Sequence, residues 1–276
     1  MEQFLYKKSA GITALSASLT NFTYKKHAHE EYAVGVTLRG IQHYQLDGAL
    51  QLSHPSGVML FNPEQAHDGM AHDETGLDYV MLYLDPQMFA EIIEKKDVIR
   101  FPNPVVYDSE LKKRILNLSQ AVLDGRDEAL CTELLLPLTD SLFKQETITS
   151  YPKDDVFIEK SKELIQGNLG SVLRVDEISG KLGLSKFQFI RAFKAKTGIP
   201  PYQYFLNSKI KVAKQLIEQT HDVYMAVVEC GFVDLNHLNK HFKGVFGITA
   251  FEYLSHINGR TLKSGDGILL DDCSKT

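Results

Sequence analysis

The chain has 276 residues, 43% of them hydrophobic, and a formal net charge of −5. That length suits two domains of roughly 100–200 residues each, and the acidic total excludes a uniformly basic nucleic-acid coat. The charge is unevenly split: residues 1–150 hold 13 Lys/Arg and 21 Asp/Glu, whereas residues 151–276 hold 17 and 14. An acidic front and a mildly basic back fit a sensing half joined to a phosphate-contacting half. Cys131, Cys230 and Cys273 are odd in number and widely spaced, so they form neither a disulfide framework nor a zinc pattern. No run of about 18 apolar residues occurs and the N-terminus has no long apolar region, so a cytoplasmic protein with no membrane partner is expected.

From Ile12 to Leu84 the pattern predicts short strands. Tyr32–Leu38 is apolar and β-branched, and Arg39-Gly40 closes it. Ile41–Leu46 alternates and is joined by Asp47-Gly48 to Ala49–Leu52, the signature of a tight hairpin whose two central residues need positive φ. Gly57–Phe61 and Asp78–Leu84 are further strands, and so many in a short stretch predict a small barrel or sandwich. Asp85-Pro86 ends this region, and a short helix is expected from Gln87 to Lys95. Asp108-Ser109 can cap a helix from Glu110 to Leu123, whose Leu111, Ile115, Leu118 and Val122 form one narrow apolar stripe. Glu128–Lys144 is expected as its partner, with Pro137 kinking or breaking it.

Within the strand region, His27-Ala-His29 with Tyr32, Arg39-Gly40, Pro55-Ser-Gly57 and Pro63-Glu-Gln-Ala-His67 resemble the cupin-type effector domain at the front of AraC-type regulators. The resemblance implies a barrel pocket for a small molecule, with His27, His29, Tyr32, Arg39, Tyr44, Phe61, His67, Tyr79 and Met81 as its candidate lining. Tyr83 lies on the same strand as the last two. Enzymatic cupins hold a metal through H-x-H, a glutamate a few residues later and a further histidine. Here Ala33 and Val34 stand in the glutamate's place, and Glu30 and Glu31 adjoin His29. The expected pocket is therefore metal-free with no cofactor, and His27, His29 and His67 are the candidate ligands should a metal be held. A helical pair after a cupin resembles the family's dimerisation element, which makes Leu111, Ile115, Leu118 and Val122 the expected contacts of a homodimer.

Thr147–Asp154 is short, polar and contains Pro152, which marks a linker. A helix is expected over Asp155–Asn168. Arg174–Leu182, the turn Gly183-Leu184-Ser185 and the helix KFQFIRAFKAKT (Lys186–Thr197) then follow one another directly. Ser185 can cap that helix, and Phe189 and Phe193 face its core. A long connector, Tyr202–Gln219, leads to the same plan again: Asp222–Asp234, then LNHLNKHFKGVFG from Leu235, with Leu238, Phe242 and Phe246 inward. Ala250–Ile257 closes the chain's folded part. The spacing G-L-S-x(7)-F-K-x(3)-G, P-x-x-Y, C-G-F-x-D-x(7)-F-K-x-x-F-G is similar to the double helix-turn-helix domain of the AraC family. It departs from the family at Ala250, where a proline is usual, and at Lys209, where an arginine is common.

The resemblance implies an α+β chain: a cupin-like effector-binding and dimerisation domain at 1–146, a linker at 147–154, a DNA-binding domain at 155–262 and an acidic tail at 263–276. It also implies a transcription regulator, expected to be an activator and not an enzyme, whose partners are double-stranded DNA, a small polar metabolite such as an amino acid, and RNA polymerase. The major groove admits an α-helix and shows each base pair as a distinct donor–acceptor pattern. Arg191 is the foremost candidate reader, with Gln188 and Asn236 beside it; Phe187, Ile190 and Leu235 suit thymine methyls. Lys186, Lys194, Lys240 and Lys243 suit phosphates, and His237 and Asn239 share the outward face. Two such helices on a rigid connector would meet the groove about 34 Å apart. Two other readings compete: a metal-dependent cupin enzyme with a helical appendage, and a protein-interaction module.

Overall fold

The computed structural model describes residues 2–93, 99–145 and 155–259. The expected linker, the acidic tail and Lys95 at the end of the first expected helix lie outside the described residues. In chain order the strands are β1 (Gln3–Ser9), β2 (Ile12–Leu19), β3 (Thr23–His27), β4 (Tyr32–Arg39), β5 (Gln42–Leu46), β6 (Ala49–Ser53), β7 (Val58–Phe61), β8 (His67–Ala71), β9 (Leu77–Leu84) and β10 (Val105–Val106). They form two antiparallel sheets, one ordered β1-β2-β9-β4-β7-β10 and one ordered β3-β8-β5-β6. The hairpin at Asp47-Gly48 has φ of 50° and 81° at those residues, with Leu46 opposite Ala49. The strand expectation, which begins at Ile12, omits β1, an edge strand that carries Lys7 and Lys8 near its end.

The larger sheet is buried on both faces over most of its length, which is why β4 runs apolar from Tyr32 to Val36. Ala33, Tyr79 and Met81 point to the space between the sheets, while Tyr32, Val34, Val80 and Leu82 point the other way. On that outer face lie α1 (Pro86–Ile92), α2 (Ser109–Leu123) and α3 (Glu128–Phe143). Asp108 caps α2 by accepting the Glu110 and Leu111 amide protons. Leu111, Ile115, Leu118 and Val122 are at most 1% exposed, packed into one core with the sheet and α3. This corrects the expectation that they form a dimer contact: the stripe is used up within its own chain. Pro137 does not break α3. It withdraws one helical donor, but from Glu133, which is exposed and can turn its carbonyl to water.

The second half is helical: α4 (Val156–Gln166), α5 (Val175–Lys181), α6 (Lys186–Thr197), α7 (Pro201–Thr220), α8 (Val223–Glu229), α9 (Leu235–Phe246) and α10 (Ala250–Ile257). The repeat is physical as well as sequential. Ser185, Phe189, Phe193 and Gly198 of the first unit match Asp234, Leu238, Phe242 and Gly247 of the second as cap, core, core and left-handed terminus. The two units differ in what they are buried against. Phe189 and Phe193 share a core with Ile158, Ile165, Ile178 and Phe205, all from the helical half. Leu238, Phe242 and Tyr253 belong instead to the core that fills the barrel. Lys209, 5% exposed on α7, donates to the Gly231 carbonyl at 3.2 Å and so ties the connector to the second turn.

The matched glycines offer a test of this asymmetry. Both have positive φ, 75° at Gly198 and 78° at Gly247, but a β-carbon at 247 would lie 2.3 Å from the Phe4 ring, against 3.4 Å from Ala66 at 198. Gly198→Ala should cost about 1–2 kcal/mol from backbone strain alone. Gly247→Ala should cost about 2–4 kcal/mol because overpacking is added, as read by urea unfolding of the full chain.

Candidate DNA interface and effector cavity

The helix α6 begins with a complete capping box: the Ser185 hydroxyl accepts the Gln188 amide proton, and the Gln188 side-chain oxygen accepts that of Ser185 at 2.9 Å. With Phe189 and Phe193 buried beneath it, the helix presents Lys186, Phe187, Gln188, Arg191 and Lys194 to solvent, Phe187 being 69% exposed. Ile190 is half-buried. Gln188 is thereby corrected as a full reader, since its carbonyl oxygen is committed to the cap and only its amide group is left to the groove. Lys186 lies 3.5 Å from Asp176, an exposed pair that a phosphate can displace.

On α9 the exposed side chains are Asn236, Lys240 and Lys243. Asn239 is not a reader: its side-chain oxygen accepts the Ala250 amide proton at 3.0 Å and fastens α9 to the start of α10. Leu235 packs toward the barrel-side core, and His237 sits edge-on to Phe232 and His241, with ring centroids 5.4 Å and 5.0 Å away. The opposite side of α9 rests on the barrel. A β-carbon at Gly244 would fall 2.8 Å from the Lys25 side chain on β3, so the helix and the strand are in close approach there.

Where the two halves meet they leave a small, partly open cavity between them. Tyr6, Thr13, His27, His29, Glu31 and Tyr83 line it from the barrel; Asn207, Ser208, Ile210, Lys211 and Lys214 of α7 line it from the other side, with Val245 and Phe246 of α9. Ion pairs frame the seam: Lys8–Glu218 at 2.6 Å, Lys214–Glu31 at 3.5 Å, Lys211–Glu30 and Lys162–Glu64. Burial would raise the Glu31 carboxyl, but Lys214 and His29 overcome it and hold the group at about 2, so it is ionised at neutral pH. The Asn207 amide nitrogen is buried and has no hydrogen-bond partner among the described residues, although its oxygen accepts from Gln203 at 2.8 Å.

Of the expected pocket residues, His27 and His29 line the cavity. Tyr44, Phe61, His67, Tyr79 and Met81 are buried inside the barrel, where the Tyr79 hydroxyl meets that of Tyr24 at 2.7 Å. Two expectations fail. Tyr32 is on the helix-covered face, packed at an angle against Phe89 and Phe101 and donating to the Ile99 carbonyl at 2.7 Å. Arg39 is on the surface, held by both oxygens of Asp78 at 2.6 Å and 3.0 Å. A period of two names the face-sharing residues of a strand but not which face is the pocket. The sequence reading also missed Tyr6 and the α7 residues, because no local pattern announces that a connector helix will wall another domain's cavity.

Comparison with known proteins matches residues 9–138 to the AraC-like ligand binding domain and residues 178–256 to a helix-turn-helix domain. The HTH-type transcriptional regulator YbfI of Bacillus subtilis is 24% identical over 223 residues, covering 78% of this chain and 81% of that protein. The probable transcriptional regulator LumQ of Photobacterium leiognathi is 24% identical over 244 residues, covering 84% and 91%. Among solved structures, an apo form of ToxT from Vibrio cholerae superposes with a TM-score of 0.61 at 12% identity, covering 91% of this chain and 99% of that one. ToxT has also been solved bound to an unsaturated fatty acid, and that form covers 94% of this chain at a TM-score of 0.60 and 13% identity. Ligand-binding barrel, paired helix-turn-helix units and regulator relatives agree: the chain belongs to the AraC family of DNA-binding transcriptional regulators.

Proposed function

We propose that this regulator reads duplex DNA with α6 and α9 and that a small molecule in the seam cavity controls the freedom of α9. The observation that carries the reading is the position of the cavity, which α9 and the connector α7 line from one side and the barrel from the other. The free space in it is about 80 Å³, well below the roughly 300–1,000 Å³ of typical ligand sites. A metabolite-sized effector therefore has to part the seam to enter. It would then bind the parted arrangement better than the closed one, which is the differential affinity that coupling needs. The unpaired Asn207 amide favours an effector with an acceptor group, and the aromatic walls favour an apolar body. ToxT, which shares the fold, is bound by a ligand of that amphipathic kind.

Activation and contact with RNA polymerase remain part of the proposal, as does a homodimer. With the α2 stripe buried, Leu130 and Leu136 of α3, 42% and 48% exposed, are the apolar side chains left as candidates for the dimer contact. No catalytic step is proposed.

Binding to the DNA upstream of its own coding region, followed by gel shift across salt concentrations, tests the DNA face. Arg191→Ala should lose about 1–3 kcal/mol of discrimination at one base pair, whereas Lys194→Ala should weaken all sites alike and lower the salt slope by about 1. Asn239→Ala should leave base preference unchanged and instead cost about 1 kcal/mol of stability, as loss of a cap does. For the cavity, a metabolite library is screened by thermal melting of the full chain, and each hit is then tested for an altered operator affinity. Asn207→Leu, which removes the unpaired amide at nearly constant volume, should weaken the response while leaving effector-free DNA binding intact. An effector response unchanged in Asn207→Leu places the effector elsewhere.

A further inference from the structure

His27 ends β3 and stands across from His67, the first residue of β8; His29 follows in the next turn of chain. The ring centroids are 4.6 Å apart for His27–His67, 5.0 Å for His29–His67 and 6.0 Å for His27–His29. One ligand nitrogen from each ring lies within 4.8 Å of the other two, a convergence that no other trio of His, Cys, Asp or Glu makes among the described residues.

The protonation pattern is set by the backbone. The Nδ1 atoms of His27, His29 and His67 lie 2.7, 2.9 and 2.8 Å from the carbonyl oxygens of Lys25, Glu31 and Gln65. A carbonyl can only accept, so each Nδ1 carries the proton and each Nε2 keeps its lone pair. Carbonyl oxygens used in this way are the usual orienting partners of metal-bound imidazoles.

We propose that His27, His29 and His67 bind one divalent cation of the zinc, nickel or copper class, with a further coordination position turned to the seam cavity. Three neutral imidazoles suit those ions and not magnesium or calcium, which require oxygen donors. The neighbouring carboxylates do not join the set, because Glu31 is held by Lys214 and Glu30 by Lys211. Bonds of about 2.0–2.1 Å to a tetrahedral ion put ligand nitrogens about 3.3 Å apart, so the rings draw inward on binding. The cation fits the small cavity that a metabolite does not, and its binding does not depend on the effector reading.

The test uses the full chain, freed of metal by chelator and then titrated with Co²⁺ in the visible and with Zn²⁺ by calorimetry and elemental analysis. One equivalent should bind. His29→Asn and His67→Asn should each weaken binding by more than about a hundredfold; His29 is half-buried, so its variant keeps the test decisive should the His67 variant fail to fold. The His43–His72 and His237–His241 pairs, with centroids 5.7 Å and 5.0 Å apart, could bind metal on the surface. A His43→Asn/His241→Asn protein should therefore still take one equivalent. The absence of stoichiometric binding at micromolar metal, retention of it in His29→Asn, or its loss in the surface double variant would each overturn the proposal.

Discussion

The burial of Tyr6 is the contact on which the arrangement of the two halves depends. Its ring, 1% exposed on an edge strand, lies edge-on to Tyr253 and Phe246, with centroids 5.4 Å and 6.3 Å away, and its hydroxyl donates to the Phe246 carbonyl at 3.0 Å. Aromatic pairs of this kind contribute about 0.5–1.5 kcal/mol beyond the area they bury. The ion pairs around them are partly solvated, where each is worth about 0–1 kcal/mol. Apolar contact therefore holds the seam, and the charges fix its register. The interior of the barrel and the core of the second helix-turn-helix unit are in consequence one continuous body.

That continuity makes the two DNA-reading units unequal. The first is built on its own core and presents α6 with Arg191 and Phe187 exposed. The second cannot shift without disturbing side chains that also line the cavity, since Val245 and Phe246 are on α9 itself. Under the proposed function, discrimination among bases and sensitivity to the effector fall to different halves of one repeat. This division accounts for the scarcity of plausible readers on α9, where Asn239, Leu235 and His237 are occupied in packing.

Much of this was legible in the sequence because its determinants are local. Ser185 and Asp234 as caps, Gly198 and Gly247 as left-handed ends, and the phenylalanine spacing between them specify each unit without reference to the rest of the chain. The same holds for Asp47-Gly48 and the hairpin. What escaped the sequence depends on distant partners. Leu111 and Ile115 have the same apolar stripe whether they meet another subunit or their own barrel. Arg39 reads as a pocket residue until Asp78 is brought beside it, and Tyr32 until the sheet is given an outside. The cavity wall on α7 was invisible for the same reason: Lys211 and Lys214 look like the solvated face of a connector until Glu30 and Glu31 dock against them.

The six-stranded sheet, apolar on both faces, gives the molecule a direction. Its outer surface is sealed by α2 and α3 in a core separate from the one that holds the cavity. A ligand entering the interior thus presses against a braced wall on one side and a dockable helix on the other. Under the proposed function, whatever parts the cavity meets the braced wall on one side and α7 and α9 on the other, and because coupling is reciprocal, DNA held by α9 acts back on the cavity by the same factor.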